Sequence, residues 1–297
     1  MDVDIDAAVH ELTEGSGYVV FPGYFAGGIV DEARELLWAL AEAEDAEPDP
    51  SGAADPDAAA NSMRATVPTQ KRVWNLIEKG AVFRGIAEEP GMLAVFEPVL
   101  GHDFVLSSIA GSVLHPGAPR QEPHADYPYW DLYDPARWPL GFNTSFHIQV
   151  TTMVMLDEFT AENGATAILP GSHKRCAWPD AEEFERDHVQ ATGPAGSLFM
   201  FTAPIWHAGC ANRSEGPRTA LLSTYHCKFI RQLEDFRRSV SAETLEQCSE
   251  RLKYLMGIDM PYPTLMSKNR RPMPISRKDR SVDGPLPEYA VQAEAPR

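Results

Sequence analysis

Apolar residues along this chain follow two regimes. Residues 16–45 open with a short apolar run, Tyr18-Val19-Val20-Phe21, turn at Pro22-Gly23, and continue with Val30, Ala33, Leu37 and Leu40 at helical spacing. That order predicts a strand, a turn and an amphipathic helix whose apolar face covers a sheet. Helical signals resume between Gln70 and Leu100, where Val73, Leu76, Ile77, Ile86, Leu93 and Phe96 form the apolar set. After Gly101 the pattern changes to strands, with FVLSSIAGSVLH, SFHIQVTTMVMLDEF, ATAILP, GSLFMF and RTALLSTYHCKF each bounded by Gly, Pro, Asn or Asp. Little helix-period sequence separates them, so the expectation is an antiparallel, mainly β core with flanking helices rather than a doubly wound sheet. A final helix is expected from Ala242 to Met256, with Leu245, Cys248, Leu252 and Leu255 on one face and Gly257 as its stop.

Between Asp45 and Ser62 the composition shifts to Ala, Pro, Asp and Gly, too polar and too broken by proline to pack as a regular element. The expectation there is a mobile loop or a lid. The 297 residues carry a net charge of -17, which disfavours nucleic acid phosphates and anionic lipid as partners. One stretch runs the other way: Met266 to Arg280 holds Lys268, Arg270, Arg271, Arg277, Lys278 and Arg280 against the single acid Asp279. It reads either as a solvated tail or as a clamp for an anionic substrate. No apolar run is long enough for a membrane span, and the acidic start MDVDIDAAVHELTEG does not resemble a signal peptide. Cys176, Cys210, Cys227 and Cys248 form no C-x-x-C pair. Reduced thiols and a cytoplasmic location are expected.

The candidate chemistry begins with His124 and Asp126. Two residues apart on extended backbone, their side chains leave the same face and can reach one ion. His207 stands 83 residues further on, beside Trp206, and its neutral imidazole would complete a set of two histidines and one carboxylate. Such a set leaves coordination positions open, as in non-haem Fe(II) oxygenases. Zinc accepts the same ligand types, so a metal-dependent hydrolase stays open, as does a non-catalytic binding protein on the same scaffold. Eleven residues past His207, Arg218 heads a strand-like run, where its guanidinium could bind a carboxylate through two parallel hydrogen bonds or merely form a surface salt bridge.

The runs RQEPHADYPYW, DEFTAENGATAILPGSHK and WHAGCANRSEGPR, in this order and spacing, resemble the phytanoyl-CoA dioxygenase (PhyH) family of Fe(II)/2-oxoglutarate-dependent oxygenases. The resemblance covers roughly residues 16–230. It implies a double-stranded β-helix (jelly-roll, cupin-like) core with Fe(II) at its mouth, 2-oxoglutarate as co-substrate and O2 as oxidant. Carried over residue by residue, His124, Asp126 and His207 match the iron ligands, and Arg218 matches the arginine on the far carboxylate of 2-oxoglutarate. Thr166 resembles a hydroxyl that assists this arginine, and Gln121 a glutamine near the iron. Gln149 joins them if the inward face of its strand runs His147, Gln149, Thr151; a cross-strand hydrogen bond is its other reading. Asn163-Gly164 and Pro170-Gly171 are expected to shape turns, and His147, His173, His188 and His226 to be structural or exposed.

Tyr127, Tyr129 and Trp130 follow the ligand pair directly and line a substrate pocket or join the core. With the carboxylate of Asp126 in place, the resemblance implies hydroxylation of a small molecule of the secondary-metabolite type, yielding succinate and CO2. Desaturation, epimerisation or cyclisation at the same site remains an alternative. The organisation expected is one domain over 1–297: support with the loop 45–62 over 1–102, the β-helix over 103–230, and a helix and tail over 231–297. Nucleic acid and membrane are not expected as partners; the oligomeric state is not legible.

Overall fold

The computed structural model describes residues 3–45, 69–101, 103–126, 146–175 and 177–258, together with the strands Thr264–Met266 and Pro272–Pro274. The loop expected at 45–62 lies outside the described residues except for its first, and the basic stretch 266–280 does so except for its few strand positions.

Helix α1 (Ile5–Thr13) is capped by Asp4, whose side chain accepts from the Ala7 amide at 3.0 Å. It precedes β1 (Tyr18–Phe21), the turn with Gly23 at φ 60°, and α2 (Gly27–Asp45). Val30, Ala33 and Leu37 of α2 are buried, as their spacing predicts. Strand β2 (Gln70–Val73) and helices α3 (Leu76–Lys79), α4 (Ala81–Ala87) and α5 (Pro90–Leu100) follow. The strands β3 (Phe104–Leu114), β4 (Gln149–Met155), β5 (Ala167–Ile168), β6 (Val189–Gln190), β7 (Leu198–Thr202), β8 (His207–Ala208) and β9 (Arg218–Cys227) make the body of the fold. A short α6 (Ala181–Asp187) lies between β5 and β6, and α7 (Phe236–Ser239), α8 (Ala242–Gln247) and α9 (Glu250–Leu255) come after β9.

The strands form a six-stranded sheet in the order β1-β7-β4-β9-β3-β2 and a three-stranded sheet in the order β6-β5-β8, all pairs antiparallel. Every residue of β3, β4 and β7 is buried, so both faces of the large sheet are covered. Side-chain alternation then sorts residues into two compartments. Val150 and Val154 of β4, Leu198 and Met200 of β7, and Leu221 and Tyr225 of β9 pack under the helices. Met153, Met155, Phe199, Phe201 and Ala220 pack inward with Ala165, Ile168 and Ile205 from around the small sheet. The helical layer is pinned by Tyr225, whose hydroxyl donates to the Ala87 carbonyl at 2.7 Å and whose ring lies 4.7 Å from that of Phe96.

Two expectations need correction. Gln70–Val73 is a strand, not the start of a helix, because it pairs residue by residue with Gly111–Leu114 of the long strand β3, and this tertiary pairing outweighs local pattern. The helix expected over Ala242–Met256 breaks at Cys248, whose backbone is extended, and restarts where the Ser249 hydroxyl accepts from the Leu252 amide at 2.9 Å. The helical period persists across the break because Cys248, Leu252 and Leu255 all bury against the same core.

Candidate metal centre

The centre is built where the small sheet meets the segment before residue 127. His124 and His207 form an antiparallel bridge, exchanging both backbone hydrogen bonds at 2.9 Å. Opposed residues in such a pair project to the same side, and their ring centroids lie 4.3 Å apart. Asp126, two residues on, is anchored by its amide to the Ala203 carbonyl at 2.9 Å. As a result, one ligand-type atom from each of His124, Asp126 and His207 lies within 4.8 Å of the others. His207 Nε2 and Asp126 Oδ1 are 3.6 Å apart. Two donors at right angles on one ion, with bonds of about 2.1 Å, sit about 3 Å apart, so a small side-chain adjustment suffices to bring this set onto a metal.

The surroundings fit that use. Nδ1 of His124 lies 2.8 Å from the Glu122 carbonyl, and Nδ1 of His207 3.1 Å from the Ile205 carbonyl. A carbonyl only accepts, so each Nδ1 carries the proton and each Nε2 keeps its lone pair, the tautomer a metal requires. Burial, and then the neighbouring His207, push the His124 imidazole well down, to about 4, so it is neutral and ligand-ready at pH 7. Asp126 has its Oδ2 held by the Thr151 hydroxyl at 2.9 Å and by Gln149 Nε2 at 3.4 Å, which turns Oδ1 towards the histidines.

The cavity that opens on this triad is lined by all seven of the remaining described candidates and ligands: His124, Asp126, His207, Gln121, Gln149, Thr166 and Arg218. Arg218, only 4% exposed, donates from Nη1 to the Gly164 carbonyl at 2.9 Å and stacks over Phe159 at 4.4 Å, while its buried Nε has no hydrogen-bond partner among the described residues. Gly164, at φ 88°, is the positive-φ turn expected of Asn163-Gly164. Gln121 accepts from the Gly209 amide through Oε1 at 2.9 Å, and the Thr166 hydroxyl donates to the Met153 sulfur at 3.7 Å. Gln149 faces the cavity and also meets its cross-strand partner, with His226 Nε2 3.0 Å from Gln149 Oε1. His173 is buried, with Nε2 3.1 Å from the Thr13 carbonyl, and His188 meets the Phe184 carbonyl at 2.8 Å; both are structural. Tyr127, Tyr129 and Trp130 lie outside the described residues.

Arg72 went unread in the sequence, Thr151 was placed only on an inward strand face, and His226 was expected only as a structural or exposed histidine. Arg72 reaches the cavity from β2, alongside Gln70, because the alternation of QKRV places both on one face. Reading that segment as helix hid the period of two. Burial lowers Arg72 to about 10, and burial with the nearby Arg72 lowers Arg218 to about 9, so both stay cationic at neutral pH. Among the described residues the cavity thus sets two guanidinium groups against one carboxylate, that of Asp126, a charge pattern that favours an anionic guest.

Comparison with known proteins gives the family and the fold. The uncharacterized protein Rv1501 of Mycobacterium tuberculosis is 30% identical over 177 residues, 57% of this chain and 60% of that protein, so the match spans less than two thirds of the relative. Dioxygenase af480 of Aspergillus fumigatus is 26% identical over 262 residues, 87% of this chain and 78% of that protein. Among solved structures, the epimerase SnoN in complex with Fe3+, alpha ketoglutarate and nogalamycin RO shares the fold, with a TM-score of 0.56 at 19% identity over 75% of this chain and 83% of SnoN. A family model matches residues 13–220, more than half of the sequence, and the chain belongs to the phytanoyl-CoA dioxygenase (PhyH) family.

Proposed function

We propose that this protein is an Fe(II)- and 2-oxoglutarate-dependent dioxygenase that hydroxylates a small molecule, forming succinate and CO2. The observation that carries the reading is the conjunction, in one cavity, of the His124, Asp126 and His207 donor set with a buried arginine, Arg218, that has no carboxylate in salt-bridge range among the described residues. Either feature alone has ordinary explanations. Together they provide one end for a metal and another for a carboxylate, as a keto acid bound at both ends requires.

In this reading His124, Asp126 and His207 would hold Fe(II), which would supply the redox chemistry of oxygen activation. The chain's own residues do the rest. Arg218 receives the distal carboxylate of 2-oxoglutarate through a guanidinium pre-set by Gly164 and Phe159, so little side-chain entropy is lost on binding. Arg72 adds a second positive charge for a dianionic guest. Gln121 and Thr166 line the space between the carboxylate end and the metal end. Trp74, Leu222 and the exposed Leu233 give the cavity an apolar wall suited to the carbon skeleton of a substrate.

The test is direct. Anaerobically purified protein, loaded with Fe(II) and exposed to O2 and 2-oxoglutarate, is expected to release succinate and consume O2. His207→Ala is expected to abolish this while retaining the wild-type circular dichroism spectrum. Succinate formation undiminished in His207→Ala would remove that residue from the ligand set, and hydrolytic turnover without O2 would favour a zinc enzyme.

A further inference from the structure

The metal-facing carboxylate is held by more than its immediate neighbours. Gln149 and His226 stand directly opposite one another across the β4–β9 ladder, and both are buried, at 3% and 0% exposure. His226 Nε2 lies 3.0 Å from Gln149 Oε1. An amide oxygen only accepts, so the imidazole donates from Nε2. With the oxygen thus engaged, the amide nitrogen must point the other way, and it donates to Asp126 Oδ2 at 3.4 Å and to the Thr151 hydroxyl oxygen at 3.3 Å. The Thr151 hydroxyl in turn donates to the same Oδ2 at 2.9 Å. Every donor and acceptor in this chain runs in one direction, from His226 through Gln149 and Thr151 to one oxygen of Asp126.

We propose that His226 is a positioning residue for the metal centre: by fixing the amide of Gln149, it keeps Oδ2 of Asp126 occupied and presents Oδ1 alone to the metal. A carboxylate bound through one oxygen leaves a coordination position that a chelating carboxylate would take. An amide rotated by half a turn would set its oxygen against Oδ2, two acceptors facing each other, and would push the carboxylate out of line. His226 prevents that rotation from the far side of the strand pair. Outer hydrogen-bond partners of this kind tune metal affinity by about 10- to 100-fold. The inference rests on the metal-centre reading above.

The experiment is anaerobic equilibrium dialysis of Fe(II) against the wild-type protein and the variants Gln149→Met, His226→Leu and His226→Gln, each checked for folding by thermal melting. Gln149→Met and His226→Leu remove the relay while keeping apolar volume, and are expected to weaken Fe(II) binding about 10- to 100-fold. His226→Gln restores an N–H donor at similar reach and is expected to return affinity to within about threefold of wild type, a rescue that a pure packing role does not give. Folded His226→Leu with wild-type affinity, or His226→Gln as weak as His226→Leu, would overturn the proposal. If His226→Leu does not fold, Gln149→Met decides alone: at least tenfold weakening supports the relay, and unchanged affinity refutes it. Wild-type protein that binds no Fe(II) would instead overturn the metal-centre reading itself.

Discussion

Arg218 shows how much a single side chain's setting determines. Its guanidinium is buried, stacked on Phe159 and fixed by the Gly164 carbonyl, yet its Nε has no hydrogen-bond partner among the described residues. A buried donor without a partner is costly, so such a group is poised for a ligand. Charge-assisted, bidentate recognition of a carboxylate is worth about 1.5–3 kcal/mol, so Arg218→Ala is expected to raise the KM for 2-oxoglutarate by about 10- to 150-fold, with a smaller effect on kcat. Steady-state kinetics with varied 2-oxoglutarate decides this, and an unchanged KM would assign the carboxylate to another cation, with Arg72 the first to test. At this scale the sequence was informative where chemistry and spacing coincide. His124, Asp126, His207 and Arg218 could be picked out because each carries reactive chemistry within recognisable runs. Thr151 was legible only as an inward-facing position and His226 only as a structural histidine, since a hydroxyl and an imidazole within strands have many ordinary uses, and only the β4–β9 register brings His226 opposite Gln149.

Among the elements, the sequence showed which segments are strands better than which strands are partners. Hydropathy marked β3, β4, β7 and β9, but nothing local announces that β1 pairs with β7 across most of the chain. Nor does it announce the irregularity between Leu106 and Ser108 on β3. That bulge inverts the alternation: Leu106 packs under the helices before it, while Ser108 and Ala110 face the cavity after it. A half-buried carboxylate, Glu234, ties this bulge to the turn after β2, accepting from the Ile109 amide at 2.7 Å and the Asn75 amide at 3.1 Å. Burial outweighs these two bonds and raises Glu234 to about 7. The folded state therefore keeps this proton to higher pH than the unfolded chain, so stability falls as pH rises from about 4.5 to 7, by about 3 kcal/mol for the full shift. Urea unfolding across that range is expected to show the decline, and Glu234→Gln to flatten it while losing one acceptor; an equal slope in both proteins would assign it elsewhere. A second element-scale constraint is Gly111, where an added Cβ would lie 2.1 Å from Leu37 Cδ1 and within 2.9 Å of its Cγ. With Leu37 of helix α2 in its present rotamer there is no room for a side chain at this position, and Gly111→Ala is expected to cost about 1–3 kcal/mol of unfolding free energy. A variant as stable as wild type would show that Leu37 repacks freely.

At the scale of the whole molecule, charge and architecture separate inside from outside. The chain carries a net charge of -17, yet its main cavity places Arg72 and Arg218 beside a metal-type donor set, so guest selection is local rather than a property of net charge. The family match ends at residue 220, but Phe236, Leu252, Leu255 and Met256 beyond it belong to the largest apolar cluster, so the closing helices complete the core that backs the cavity. No helix among the described residues is long and apolar enough to cross a membrane. The central claim, that one cavity binds Fe(II) and 2-oxoglutarate together, is tested most directly by titrating the anaerobic Fe(II)-loaded protein with 2-oxoglutarate and following the visible absorption of an Fe(II)-bound keto acid. A weak, saturable charge-transfer band is expected, lost in His207→Ala and shifted to higher 2-oxoglutarate concentration in Arg218→Ala. Iron demonstrably bound with no such band at any 2-oxoglutarate concentration would contradict it.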